Sequence, residues 1–170
     1  LTAIIRAFRG EAKVGNFYLD MWRVVIYMFL PAALLLGVFF EWQGMPMTFE
    51  SSYHVSTLEA GAIGVDEKGE AKQQTIVTGP VAALEPIKML GTNGGGFFGM
   101  NSAHPYENPT GLANAVNTFA MMIFPFMLVL MYGRMLKRFK HSLIVFGAML
   151  LMMVGTIIWS ISFDTLQPNP

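Results

Sequence analysis

Three stretches of this chain, about Val24–Phe40, Gly111–Tyr132 and Ser142–Phe163, are long, apolar and uncharged. Crossing roughly 30 Å of hydrocarbon takes about 20 apolar residues in a helix, and in lipid only a helix or a closed barrel satisfies its own backbone. The stretches do not overlap, so the pattern predicts three membrane helices. Their flanks agree: Arg23 and Glu41 bracket the first, and Tyr18, Trp22, Tyr27 and Trp42 supply aromatic rings suited to the interface. Trp159 and Phe163 would anchor the far end of the third. Pro31 predicts a kink in the first helix, and the second contains Pro125. With 54% of its residues hydrophobic and 13% charged, the chain is too apolar for an ordinary water-soluble domain. It holds no cysteine, which excludes disulfides, thiolate zinc sites and thiol nucleophiles and leaves the redox compartment open.

Charge placement predicts a topology. Arg6, Arg9, Lys13 and Arg23 precede the first stretch, and Arg134, Lys137, Arg138 and Lys140 fill the link between the second and third, so eight of eleven Lys and Arg fall on one side. The segment from Glu41 to Leu112 carries eight acidic residues against Lys68, Lys72 and Lys88. By the positive-inside rule the basic ends face the cytoplasm and the acidic segment faces out. The basic link reads as topology and lipid contact. The chain starts at Leu1 with no signal-peptide layout, because Arg6, Arg9, Glu11 and Lys13 break any early apolar core; it is expected to be part of a longer protein.

The outer segment divides in two. Residues 43–78 are polar, with a turn-like Asp66-Glu67-Lys68-Gly69 and a short β-prone Thr75-Ile76-Val77-Thr78, and predict an irregular loop. Gly79-Pro80 then opens an apolar run, Val81 to Leu90, too short to span a bilayer. A run of this size between membrane helices suits a re-entrant half-helix, in which Pro86 would cost one backbone hydrogen bond or shift the start.

The expected order is therefore a cytoplasmic segment (1–23), a membrane helix (24–42), an extracytoplasmic loop (43–78) and a pore half-helix (79–90). A glycine loop (91–98), an outer polar segment (99–110) and a second membrane helix (111–132) follow. A basic cytoplasmic link (133–141), a third membrane helix (142–163) and an outer end (164–170) complete it. The fold class is an all-α membrane protein.

Span, half-helix, glycine strand, span is the plan of a pore unit. Gly91-Thr92-Asn93-Gly94-Gly95-Gly96 directly follows the half-helix. A dehydrated K⁺ must exchange water oxygens for fixed protein oxygens, and backbone carbonyls supply them when glycine lets the chain run extended and closely packed. The C-terminal end of the half-helix adds partial negative charge toward the cation. Non-helical backbone at membrane depth also requires a vestibule or burial in protein. One unit cannot encircle an ion, and no second copy exists in this chain. The run lacks the Gly-Lys-Ser/Thr ending of a phosphate-binding loop and no strand–helix unit surrounds it, which argues against nucleotide binding.

The run IKMLGTNGGGFF followed by NSAHPYENPT resembles the potassium-binding A subunit family of the Kdp-type potassium-transporting ATPase, a bacterial complex. The similarity extends more loosely over IRAF near the start, Gly15-Asn16-Phe17, Gly79-Pro80-Val81-Ala82 and Gly133-Arg134-Met135. It implies the second of four pore-like repeats, similar to those of potassium channels and of the Trk and Ktr transporters, plus the beginning of the third. It further implies Thr92, Asn93 and Gly94 as main-chain K⁺ ligands, Gly95 and Gly96 as residues that maintain the loop, and Gly91 and Asn101 as its support. Partners implied are an ATP-hydrolysing B subunit and small C and F subunits in the bacterial inner membrane, with the filter open to the outside. The chain itself shows neither a phosphate-binding loop nor an Asp-Lys-Thr-Gly phosphorylation motif, so it is expected to transport rather than catalyse. A passive potassium channel or a Trk/Ktr-like transporter built on the same unit is the alternative.

The remaining polar residues read as structure. Asn101 to Pro109 would hydrogen-bond the filter strand and cap the next helix, with attraction of cations by Glu107 as the competing reading. Lys88 would face away from the ion, favoured by the helix C-terminus and able to snorkel to an interface. His54, His104 and His141 lack metal-ligand spacing. No organic cofactor and no nucleic acid is expected.

Overall fold

The computed structural model describes residues 1–57, 64–65, 72–99 and 101–166. The expected turn at Asp66–Gly69 and the last residues of the outer end lie outside the described residues. Three helices, Phe17–Trp42, Gly111–Met135 and Phe139–Thr165, are apolar and long enough to cross a bilayer. The chain is thus an α-helical, multi-pass membrane protein, with one small sheet among the described residues. None of the third helix's most apolar window is buried, and Leu151 and Met152 are 74% and 73% exposed. Such faces are stable against lipid tails or other protein, not against water.

The first long helix begins at Phe17, before the Val24 that the absence of charge indicated. Helix formation does not depend on hydropathy, and local polar groups support this start. Asn16 Oδ1 accepts the N–H of Leu19 at 3.2 Å, and Asp20 places a negative charge in the first turn. At Pro31, where a kink was expected, the turn just before it widens: Val25–Phe29 is π-helical, and Leu30 N bonds back to Val25 O. Proline has no N–H to give the preceding turn, and the wider turn lets the helix continue.

Contacts divide the chain into two units. The first holds Leu1–Trp22 and the chain from Met122 onward. A short helix, Thr2–Phe8, carries Arg6, whose guanidinium pairs with Asp20 at 2.5 Å and donates to Val14 O at 3.0 Å. The second and third long helices form a hairpin in which Phe126 meets Phe146 edge-on at 5.2 Å. Gly133 abuts the side chain of Ser142, leaving no room for a Cβ.

The second unit, Arg23–Met121, contains the half-helix Val81–Gly91. It packs on the first long helix at Gly37, where a Cβ would lie 3.3 Å from Ala82 O and 3.9 Å from Pro86 Cγ. Pro86 neither ends nor shifts the half-helix; it withholds an N–H from Ala82 O, the carbonyl that faces Gly37. Phe40, Met45, Ala82 and Ala113 form a buried cluster, joined by Leu36, Phe39 and Val116, that ties this half-helix to both adjoining long helices. The segment expected to be irregular contains an antiparallel pair, Ser52–Val55 with Gln74–Val77, in which Tyr53 opposes Ile76 and His54 opposes Thr75. Thr110 caps the second long helix through Oγ1, which accepts Ala113 N–H at 3.0 Å and donates to Gln43 Oε1 at 2.6 Å.

Candidate functional site

The half-helix runs through Gly91 and stops at Thr92, which takes a left-handed conformation (φ 50°, ψ 30°) with its N–H on Met89 O at 3.3 Å. Gly94, Gly95 and Gly96 follow with φ of 69°, 100° and 82°. Three successive positive φ angles favour glycine, because a Cβ would meet backbone oxygens there. The loop therefore turns, where an extended strand was expected. Thr92, Asn93, Gly95 and Gly96 are exposed and Gly94 is half-buried. Among the described residues the carbonyl oxygens of Thr92, Asn93 and Gly94 accept no hydrogen bond. Asn101 lies in an exposed turn past the loop, whereas its neighbour Ser102 is buried.

The second limb of the loop rests on a buried charge cluster. Lys88, Glu85 and Glu107 are 3%, 1% and 1% exposed. Lys88 Nζ lies 2.8 Å from Glu85 Oε2 and 2.9 Å from Glu107 Oε2, and it donates to Gly99 O at 3.0 Å. Only the contact with Gly99 has directed hydrogen-bond geometry; the carboxylate contacts are charge contacts. Glu107 Oε1 accepts the N–H of Phe98 at 3.4 Å, and Ser102 Oγ donates to Glu85 Oε1. The His104 ring stacks on Phe98 with centroids 4.1 Å apart, and its Nδ1 accepts Tyr106 N–H at 3.1 Å. Asn117, on the second long helix, donates to Glu107 O at 3.3 Å.

This arrangement corrects one expectation and decides another. Lys88 does not snorkel: it turns inward, because two carboxylates and a carbonyl replace its water. Glu107, expected near the outer mouth, is buried, paired with Lys88 and bonded by Phe98 N–H. An unpaired ammonium close to a cation path would be unfavourable, since like charges 4 Å apart repel by about 4 kcal/mol at an effective dielectric constant of 20. The two carboxylates offset the positive charge of the ammonium. Glu85 had no role in the sequence reading, and Ser102 only a general one within Asn101–Pro109, although Glu85 and Lys88 stand at i, i+3 on one helix, a spacing that brings side chains together.

Three bilayer-length helices and a short buried half-helix ending in a glycine loop define an α-helical, multi-pass membrane protein. The family model described as the potassium-transporting ATPase A subunit matches residues 1–170, and the chain belongs to that family. It is 42% identical over 160 residues to a potassium-transporting ATPase potassium-binding subunit of Caldanaerobacter subterraneus subsp. tengcongensis, covering 91% of this chain and 27% of that protein. Proteins of the same description in Serratia proteamaculans and Pseudomonas aeruginosa are 41% and 38% identical, covering 99% and 100% of this chain. The chain spans only 28% of the length of each of those two relatives.

Proposed function

We propose that this chain supplies one wall of a K⁺ selectivity filter within a potassium-binding subunit, and that the whole protein captures K⁺ for an ATP-driven uptake complex. The observation that carries this reading is the loop Thr92–Gly96, whose carbonyls at Thr92, Asn93 and Gly94 accept no hydrogen bond among the described residues, at the C-terminal end of a half-helix. Those carbonyls replace water around the ion, the helix terminus adds partial negative charge, and Gly95 and Gly96 give the backbone its left-handed turns. Asn101 is a nearby polar side chain on the outer side. Further repeats of the same protein complete the ring.

In this reading a separate B subunit hydrolyses ATP, small C and F subunits complete the assembly, and the filter opens to the outside of a bacterial inner membrane. Cysteines introduced at Glu67 and Lys137 should label from opposite sides; labelling from the same side overturns the topology.

The test of the filter is ATP hydrolysis by the complete complex as a function of K⁺ and Rb⁺, parent against Gly94→Ser. The variant should assemble normally, need more K⁺ and discriminate less against Rb⁺. An unchanged curve in an assembled variant removes Gly94 from the ion site. A parent without K⁺-stimulated hydrolysis replaces the ATPase reading with a passive channel or an ion-coupled transporter.

A further inference from the structure

The glycine loop has two limbs, and different parts of the structure hold them. The first limb is the cap of the half-helix, fixed by Thr92 N–H on Met89 O. The second limb, Gly96 to Gly99, is held by side chains. Lys88 Nζ bonds Gly99 O, and Glu107 Oε1 bonds Phe98 N. Lys88 and Glu107 pair with each other at 2.9 Å, and a Cβ on Gly96 would lie 2.7 Å from Glu107 Oε1 and 3.1 Å from Lys88 Nζ.

Stability alone gives little reason for this pair. A buried ion pair loses much of its Coulomb gain to desolvation, and an apolar pair of similar volume is often as stable. An apolar pair could not grip the two backbone groups: His104 stacks on the Phe98 ring, but Phe98 N–H and Gly99 O still need polar partners. The carbonyl positions that discriminate ions depend on how rigidly that limb is held.

We propose that Lys88 and Glu107 are positioning residues for ion selectivity, a buried clamp that fixes the second limb of the loop and acts on the ion only through the backbone. This rests on the filter reading of Thr92–Gly96. Glu85, held in turn by Ser102, keeps the ammonium in place from the helix side.

The experiment is K⁺- and Rb⁺-stimulated ATP hydrolysis by the complete complex carrying Lys88→Met, Glu107→Gln, both together, Lys88→Arg, or Gly94→Ser. A clamp predicts that Lys88→Met and Glu107→Gln each lower discrimination against Rb⁺ by about tenfold, at similar maximal rates. The double variant should be no worse than either alone, because one device is broken once. Lys88→Arg, which keeps a charged donor, should retain more discrimination than Lys88→Met.

A field effect alone would move K⁺ affinity in opposite directions, tighter for Lys88→Met and weaker for Glu107→Gln, with discrimination intact; that outcome overturns the clamp. A lower yield of complex with unchanged ion curves overturns it too, since the pair would then serve folding only. If Lys88→Met fails to assemble, Glu107→Gln and Lys88→Arg carry the test, and failure of all three rejects the proposal in the same way. Gly94→Ser separates the two levels: if it shifts the ion curves while the clamp variants do not, the clamp alone fails. If it too is silent, the filter reading fails.

Discussion

Lys88 Nζ and Glu107 Oε2 lie 2.9 Å apart in the buried interior, joining the last turn of the half-helix to the polar segment beyond the glycine loop. The two residues are far apart in the chain, and each also holds a backbone group of that loop. Removing the ammonium alone leaves two carboxylates without a counter-charge, at a cost of about 3–5 kcal/mol. Lys88→Met should therefore lower the thermal midpoint of the detergent-solubilised complex clearly. The triple change Glu85→Gln, Lys88→Met and Glu107→Gln should recover part of that loss, because no bare charge remains buried. A triple variant less stable than Lys88→Met would contradict this.

Gly95 and Gly96 share positive φ angles but not surroundings. A Cβ at Gly95 meets nothing within 4 Å, so Gly95→Ala faces backbone strain alone, about 1–2 kcal/mol. Gly96→Ala adds a collision with the paired ends of Glu107 and Lys88. The expected order is parent, Gly95→Ala, Gly96→Ala in increasing K⁺ needed for half-maximal ATP hydrolysis. Equal effects would mean that the pair yields freely.

Gly37 sets how closely the half-helix approaches the first long helix. Enlarging it forces Ala82 O and Pro86 outward, and overpacking of this kind costs about 1–3 kcal/mol. Gly37→Ala should be mild and Gly37→Leu severe, read as the fraction of complex surviving size exclusion after heating. A flat response would show that the interface relaxes without cost.

Thr110 joins two helices through one hydroxyl, capping Ala113 N–H and donating to Gln43 Oε1. Thr110→Ala removes both bonds and should cost about 1 kcal/mol or somewhat more, whereas Thr110→Ser should stay near the parent. Thermal midpoints of the three proteins check the order. A Thr110→Ser protein as weak as Thr110→Ala would point to the methyl group instead.

Much of the fold was legible because its signals are local. Long uncharged stretches mark the helices, and a half-length apolar run before Gly91 marks the half-helix. What local hydropathy did not give was the extent of the helix: Arg23 bracketed the apolar stretch, yet the helix starts earlier, at Phe17, with Asn16 capping Leu19 N–H and Arg6 pairing with Asp20. Of the strand pair, Gln74–Val77 was legible as the β-prone run Thr75–Thr78, whereas its partner Ser52–Val55 was not, because it is short and the pairing is distant in the chain.

By itself the sequence determined the solvent this chain needs, the number of its long helices, the place of the glycine loop and the family it resembles. Each follows from residues close together, where covalent spacing already decides what meets what. Tertiary structure alone decided which way Lys88 turns, that Glu107 belongs to the interior, and that a Cβ at Gly96 would meet the paired ends of Glu107 and Lys88. Those facts depend on Glu85, Gly99 and Glu107 converging on one ammonium, with Ser102 holding Glu85. A buried charge takes its meaning from its partners, and only the fold chooses them.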